Sequence, residues 1–460
     1  MNSSSLAKGW FFLSLLVLAF GYGFVSHAWG LFPKPYLEKA WQQAYWRVSQ
    51  VEEESGPSTF TGTPVYNNRA GANPVRPGEM QSGLTLISSS WEGPGGWEPE
   101  LRLIDRAGEV LHRWRLNRKE SFQGTTQKKS PSKAGVHGSY LLPGGDVVIN
   151  LEYVGMVRLD PCGDVVWKRI EGNHHSISRA EDGTFWVPAV SEDKRSRSDR
   201  YDDGFPGLEN RNLWLDRILR VTKDGEVIRD IPVMDIIYQN DLERYIPKVL
   251  GGAWPSSKDI LSDITHLNDV EPLDRSIADA YPLFEAGDLV VSLRSLSLVF
   301  VFDPETLEVK WHSSEPFVYQ HDPDFIGDGW IGVFDNNYDL QDGEMLGGSR
   351  IVGVQPHTDS TKILFEGGEL NRFYTSVQGK WQQLRNGNML LSETTTGRAV
   401  EVDTRGRLVW EWIQTPVDRS TVPSVTKATR TDLTRKEVAS WACSSVDSVS
   451  TSVQKQQTAP

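Results

Sequence analysis

The stretch RLDPCGDVVWKR, residues 158–169, decides the fold. It reads as an apolar strand ending in Asp, a turn carrying glycine, and a second strand ending in Trp. The same phrase returns as LIDRAGEVLHRW (103–114), RVTKDGEVIRD (220–230), VFDPETLEVKW (301–311) and EVDTRGRLVWEW (401–412), with a degenerate copy in RIVGVQPHTDSTKILFEG (350–367). Asp and Gly suit the turns, and two-residue alternation in GDVVINLEY and GNMLLSET favours strands over helices. Six copies of about four strands each predict one all-β unit, a six-bladed β-propeller over residues 83–445.

Histidines recur at one place in this repeat. His137 precedes Gly145, His175 precedes Gly183 and His321 precedes Gly329 by the same interval. If each unit begins with its innermost strand, these histidines stand at one mouth of the central channel. The next strand runs back antiparallel and returns Glu152, Arg294, Asn336 and Thr394 to the same mouth. His266 also starts an inner strand, but an insertion delays its glycine to Gly287. His137 reads as structural, because HGS offers no further polar partner. His-X-His spacing is absent and repeat-related residues stand apart, so neither a metal nor another cofactor is expected.

Composition narrows the partners. A formal net charge of −13 argues against nucleic acid, and an anionic substrate would need a local positive pocket. Two cysteines, Cys162 and Cys443, allow at most one disulfide. Residues 1–34 contain the apolar run GWFFLSLLVLAFGYGFVSHAWGLF, roughly 36 Å long as a helix, which predicts a transmembrane anchor or an export signal. The expected location is therefore the cell membrane, single-pass, with the propeller outside the cytoplasm, periplasmic or extracellular. Residues 35–82 read as a juxtamembrane helix and a linker lying outside the propeller, and 446–460 as a disordered tail. A homodimer is compatible with this organisation.

The ordered motifs NHH (173–175), HLN (266–268), SLR (292–294), QHD (320–322), FDNN (334–337) and QLRNGN (383–388) resemble those of the bacterial arylsulfate sulfotransferases. The resemblance spans most of 83–445 and implies a six-bladed propeller. It also implies transfer of a sulfuryl group from an aryl sulfate ester to a phenol, without a nucleotide donor, through a sulfated histidine. By motif it implies His321 as nucleophile, with His175, His266 and Arg294 completing the catalytic set. Asn268, His174, Asn336 and Thr394 are the implied substrate contacts, and Lys380 and Thr394 are candidates for the lysine and threonine of the last blade. Ser176 departs from the pattern, standing where the family tends to be acidic.

The chemistry suits these residue types. A neutral imidazole can attack sulfur in line, an arginine can hold the equatorial oxygens, and a second histidine can protonate the leaving phenolate. Asp322 is the candidate to orient the other nitrogen of His321. Two rival readings are a non-catalytic membrane-anchored propeller that binds a ligand or serves as a scaffold, and a quinoprotein dehydrogenase. The latter expects adjacent cysteines, which this chain lacks.

Overall fold

A computed structural model describes residues 3–29, 60–66, 69–93, 96–122, 134–208, 211–246, 262–338, 348–368 and 372–443. The chain divides into two units, residues 1–56 and 57–460. In the first, Ser3–Trp29 is helical. No helix among the described residues is long and apolar enough to cross a membrane, so the expected transmembrane anchor is corrected to a helix. Its apolar core, Trp10–Phe20, is diluted by Ser3, Ser4, Ser5 and Lys8 on one side and by Gly21, Gly23, Ser26 and His27 on the other. The expected juxtamembrane helix and the tail at 446–460 fall outside the described residues.

The second unit is a ring of six antiparallel sheets. Blades two to six follow the chain from the inside outward. Their inner strands are Val136–Leu141, Ser178–Arg179, Leu267–Pro272, His321–Phe325 and Lys380–Gln383. Blade one departs from that order: its innermost strand, Lys427–Thr431, comes from the C-terminal end and pairs with Leu84–Gly93. The ring is therefore closed by joining its two ends within one sheet. Arg430 on this closing strand also pairs with the buried Glu401 of blade six at 3.0 Å. Its backbone bonds the Gln382 side chain in both directions.

Linker residues expected outside the propeller belong to it. Gly71–Pro74 adds a fifth strand to the outer edge of blade six, and Thr61–Gly62 pairs with Val422–Pro423. Unpaired N–H and C=O groups on an outer strand accept any extended segment, whatever its side chains, which is why composition did not reveal the pairing.

The core lies between the blades, and strand alternation builds it. In blade four, Leu289, Val291, Phe300 and Phe302 face blade three and pack with Trp186 and Ile218. The intervening Val290, Val299 and Val301 face blade five and pack with Ile331, Val333 and Val352. Both faces of the middle strands are thus dry, so they read as continuous apolar runs. The repeated Asp builds each outer turn. Asp160 Oδ1 accepts from the backbone N–H of Cys162 and Asp164, and Gly163 takes the left-handed conformation the turn needs. Cys162 in this turn is disulfide-bonded to Cys443, beyond the closing strand.

Candidate functional site

Inner strands start at one mouth of the channel, and three blades shape those starts in a special way. His175 and His266 adopt left-handed backbone angles (φ 52° and 49°), as does Asp322 directly after His321 (φ 49°). Strand pairing slips beside two of these positions, between Leu267 and Asp269 and between His321 and Asp324. Bulges of this kind re-aim side chains, and non-glycine residues hold left-handed angles only where the surroundings impose them. The result is a packed cluster of imidazoles. Ring centroids lie 3.9 Å apart for His137 and His175, 5.1 Å for His175 and His266, and 6.3 Å for His175 and His321.

The paired histidines have different neighbours. His175 sits at the centre of the cluster. His174 is turned behind it, its ring tilted at 40° to that of Tyr153 with centroids 4.7 Å apart and its Nε2 3.6 Å from Asp216. Their two Nδ1 atoms lie 2.7 Å apart and share one proton. His266 is set by the Asp263 carboxylate, 2.8 Å from its Nδ1. His137 lies in the cluster, at the mouth where the repeat placed it, with Glu152 3.8 Å from its Nδ1.

His321 has the most decisive hydrogen-bond pattern. Its Nδ1 faces two acceptors, Asn336 Oδ1 at 2.7 Å and the Tyr319 carbonyl at 3.1 Å. Asn336 cannot be turned round, because its amide nitrogen donates to the carbonyls of Thr375 and Gln378 at 2.8 and 2.7 Å. Nδ1 must then carry the proton, and Nε2 keeps its lone pair. That nitrogen is buried and has no hydrogen-bond partner among the described residues. Burial, and next the Arg294 guanidinium, hold the His321 pKa well below its ordinary value, so the ring is neutral at pH 7.

Asp322, expected to orient His321, does not. The left-handed turn sends its carboxylate into the channel, where it accepts from Lys380 Nζ at 2.5 Å and from the Trp381 N–H at 2.7 Å. The orienting acceptor is Asn336, which the sequence placed at this mouth but in a different role.

The remaining candidates lie on blades four and six. Arg294 follows a blade-four strand, its guanidinium 5.7 Å from the Tyr319 ring and its Nε buried without a partner among the described residues. Asn268 is buried and donates to the Gln320 carbonyl at 2.8 Å. Thr394 is buried in the short turn after a blade-six strand, and its hydroxyl is unpaired among the described residues. Lys380 is buried between Asp269 and Asp322 rather than presented to the imidazoles. Tyr319, Tyr153 and Asp263 escaped sequence reasoning. Only the left-handed φ of 58° at Tyr319 marks it, and no sequence pattern carries that.

Among the described residues no group of His, Cys, Asp and Glu has the geometry to hold a metal ion. Hollows exist elsewhere, among them a cleft of about 720 Å³ lined by Arg195, Arg217 and Asp235. The case for the histidine mouth rests on convergent buried nitrogen atoms, not on volume.

Similar solved structures share little sequence with the chain. A Bacteroides caccae protein of unknown function is 13% identical, with 72% of this chain and 94% of that one covered and a TM-score of 0.45. A streptogramin B lyase is 10% identical, with 78% and 97% covered and a TM-score of 0.39. The Staphylococcus aureus virginiamycin B lyase is 11% identical, with 62% and 71% covered and a TM-score of 0.32. No curated protein matches in sequence. Residues 138–415, more than half of the chain and including every imidazole of the cluster except His137, match the model described as Arylsulfotransferase (ASST), and the chain belongs to that family.

Proposed function

We propose that the protein transfers a sulfuryl group from an aryl sulfate ester to a phenolic acceptor, through a sulfohistidine at His321 Nε2 and without a nucleotide donor. The observation that carries this reading is the buried, unpaired Nε2 lone pair of a neutral imidazole next to an arginine. In the first half-reaction Nε2 forms the N–S bond as the S–O(aryl) bond breaks. The aryl oxide leaves as a phenol, taking a proton from His266, since His175 is held neutral by burial. In the second half the acceptor phenol gives its proton to the same histidine, its oxygen attacks sulfur, and the N–S bond returns its electron pair to Nε2.

Arg294 faces the equatorial oxygens in this scheme, providing the local positive charge that an acidic protein otherwise lacks. Asn268 and Thr394 are the remaining polar contacts for the sulfuryl group and the phenolic oxygen. His174 acts behind His175 and sets its proton. We also place the propeller outside the cytoplasm, a reading supported by the Cys162–Cys443 disulfide, since such bonds persist in oxidising compartments.

The test is a transfer assay with a chromogenic aryl sulfate and a phenol, without nucleotide. The expected result is turnover by the wild type and none by His321→Ala. Incubation with the aryl sulfate alone should add one sulfuryl group to His321, which a phenol then removes. Neither turnover nor label across a broad donor panel would favour a propeller that binds without catalysis.

A further inference from the structure

The geometry points to Lys380 as a positioning residue that holds His321 and Asn268 in register from behind, an inference that rests on the proposed transfer reaction. Lys380 opens the inner strand of blade six and is buried in the channel. Its ammonium bridges two carboxylates on other blades, Asp269 of blade four and Asp322 of blade five. Each carboxylate is the residue immediately after a proposed site residue, Asn268 or His321. Each also sits at a slip in strand pairing. The two slips are joined directly as well, since Asn268 donates to the carbonyl of Gln320, the residue before His321.

Blade six grips the turn after His321 more fully than an ion pair alone would. Lys380 and the Trp381 N–H hold the Asp322 carboxylate, and Trp381 Nε1 donates to the Asp322 carbonyl at 2.9 Å. This grip maintains the left-handed angle at Asp322. That angle sends His321 towards the mouth while Asp322 turns into the channel. Deleting the cation would leave the buried Asp269 and Asp322 facing each other. The other ionisable groups there compensate only in part. Glu271 and Asp324 lie further along the same two strands. Lys427 from blade one donates to the Ser139 carbonyl and feels Asp322 and Asp269 without bonding either among the described residues. Burial, and then Asp269, push the Asp322 carboxyl up to about 7 even beside Lys380. Without the cation the pair therefore holds a proton at neutral pH and repels only as pH rises, acting on the two turns that aim Asn268 and His321.

The experiment uses the full chain and three readouts: kcat against KM, the pH profile, and the ¹⁵N imidazole spectrum of His321. Lys380→Met should lower kcat by about 10²-fold, the loss expected for displacing a reacting group by about 1 Å, and leave KM nearly unchanged. Its loss should deepen as pH rises above neutral, where the pair gives up its shared proton and the two carboxylates repel. Adding Asp322→Asn should restore kcat to within about tenfold of wild type, because an amide can still accept from Trp381 and can donate to Asp269. A Lys380→Met protein with wild-type kcat and an unchanged His321 spectrum would overturn the proposal. So would a loss that is the same at every pH and is not rescued by Asp322→Asn, which would mark Lys380 as a direct substrate contact. Should Lys380→Met be insoluble, Asp322→Asn alone carries the test: kcat should fall about tenfold with KM kept, and an unchanged kcat overturns the proposal. If the wild type transfers nothing, the transfer reading fails. Positioning is then judged by the imidazole spectrum, which reads the His321 tautomer without turnover.

Discussion

Asn336→Asp puts a carboxylate against His321 Nδ1, and removes the amide that donates to the Thr375 and Gln378 carbonyls, to test the tautomer on which the proposed mechanism depends. In the wild type a neutral amide oxygen accepts the Nδ1 proton at 2.7 Å. A carboxylate there adds a full negative charge to a contact that excludes water. At an effective dielectric near 20, two unit charges about 4 Å apart interact by about 4 kcal/mol, and desolvation of the new carboxylate offsets part of this. At 1.36 kcal/mol per unit, the His321 pKa should rise by about 1 to 3 units, the usual span for an adjacent opposite charge.

The sign follows from the proton. A protonated Nε2 has no lone pair, so the acid limb of kcat/KM must move to higher pH. In the wild type that limb lies below about 6.5, because burial and Arg294 depress the pKa. Asn336→Leu separates charge from orientation. It removes the neutral bond to Nδ1, worth about 0.5 to 1.5 kcal/mol, together with the two donated to Thr375 and Gln378, so kcat should fall by at least about 2- to 12-fold with no upward shift of the limb. The assay is kcat/KM against pH with a chromogenic aryl sulfate, which reports ionisations of the free enzyme. Coincident acid limbs for the wild type and Asn336→Asp would refute the reasoning.

Arg294→Ala should slow transfer by about 10²- to 10³-fold, the loss typical of one aimed donor, and an effect below fivefold in kcat would remove Arg294 from the reaction. Phe300→Ala, which empties a fully buried position between blades three and four, should cost about 3 to 5 kcal/mol in denaturant unfolding. Replacing Cys162 and Cys443 together by Ser should destabilise the protein by about 2 to 5 kcal/mol while the active-site chemistry persists, and an unchanged melting temperature in the double variant would contradict this. The folded-state pKa values of His175 and His321 are both depressed by burial. The stability they contribute should be present above about pH 6.5 and be lost as pH falls through their folded values; melting temperatures insensitive to pH over that interval would argue against it.

How much of the site could be read depended on the range of the interactions involved. The interval from His137 to Gly145, repeated at His175 and His321, placed histidines at one mouth because strand period and turn spacing are local properties. Arg294 and Asn336 followed from the same count along the returning strand. Their partners did not. Asn336 bonds carbonyls at Thr375 and Gln378 on a later stretch of chain, and Asp322 meets Lys380 on another blade. Neither pairing leaves a pattern within one repeat.

By itself the sequence determined the architecture. Alternating apolar residues, Asp–Gly turns and a repeated length can bury their surface only against neighbouring copies, so a ring of sheets follows from local pattern. Tertiary structure alone decided which nitrogen of His321 keeps a free lone pair. The proposed nucleophile depends on a proton assigned to Nδ1, and that assignment comes from Asn336, whose amide is locked by carbonyls distant in sequence. It also decided that Asp322 turns away from the imidazole. A left-handed angle and a slipped register reverse the direction of a side chain without changing its residue type, and only contacts with blade six select that angle. The end-to-end closure by Lys427–Thr431 belongs to the same class: strand pairing is backbone chemistry, and its choice of partner is settled by where the chain ends meet in space.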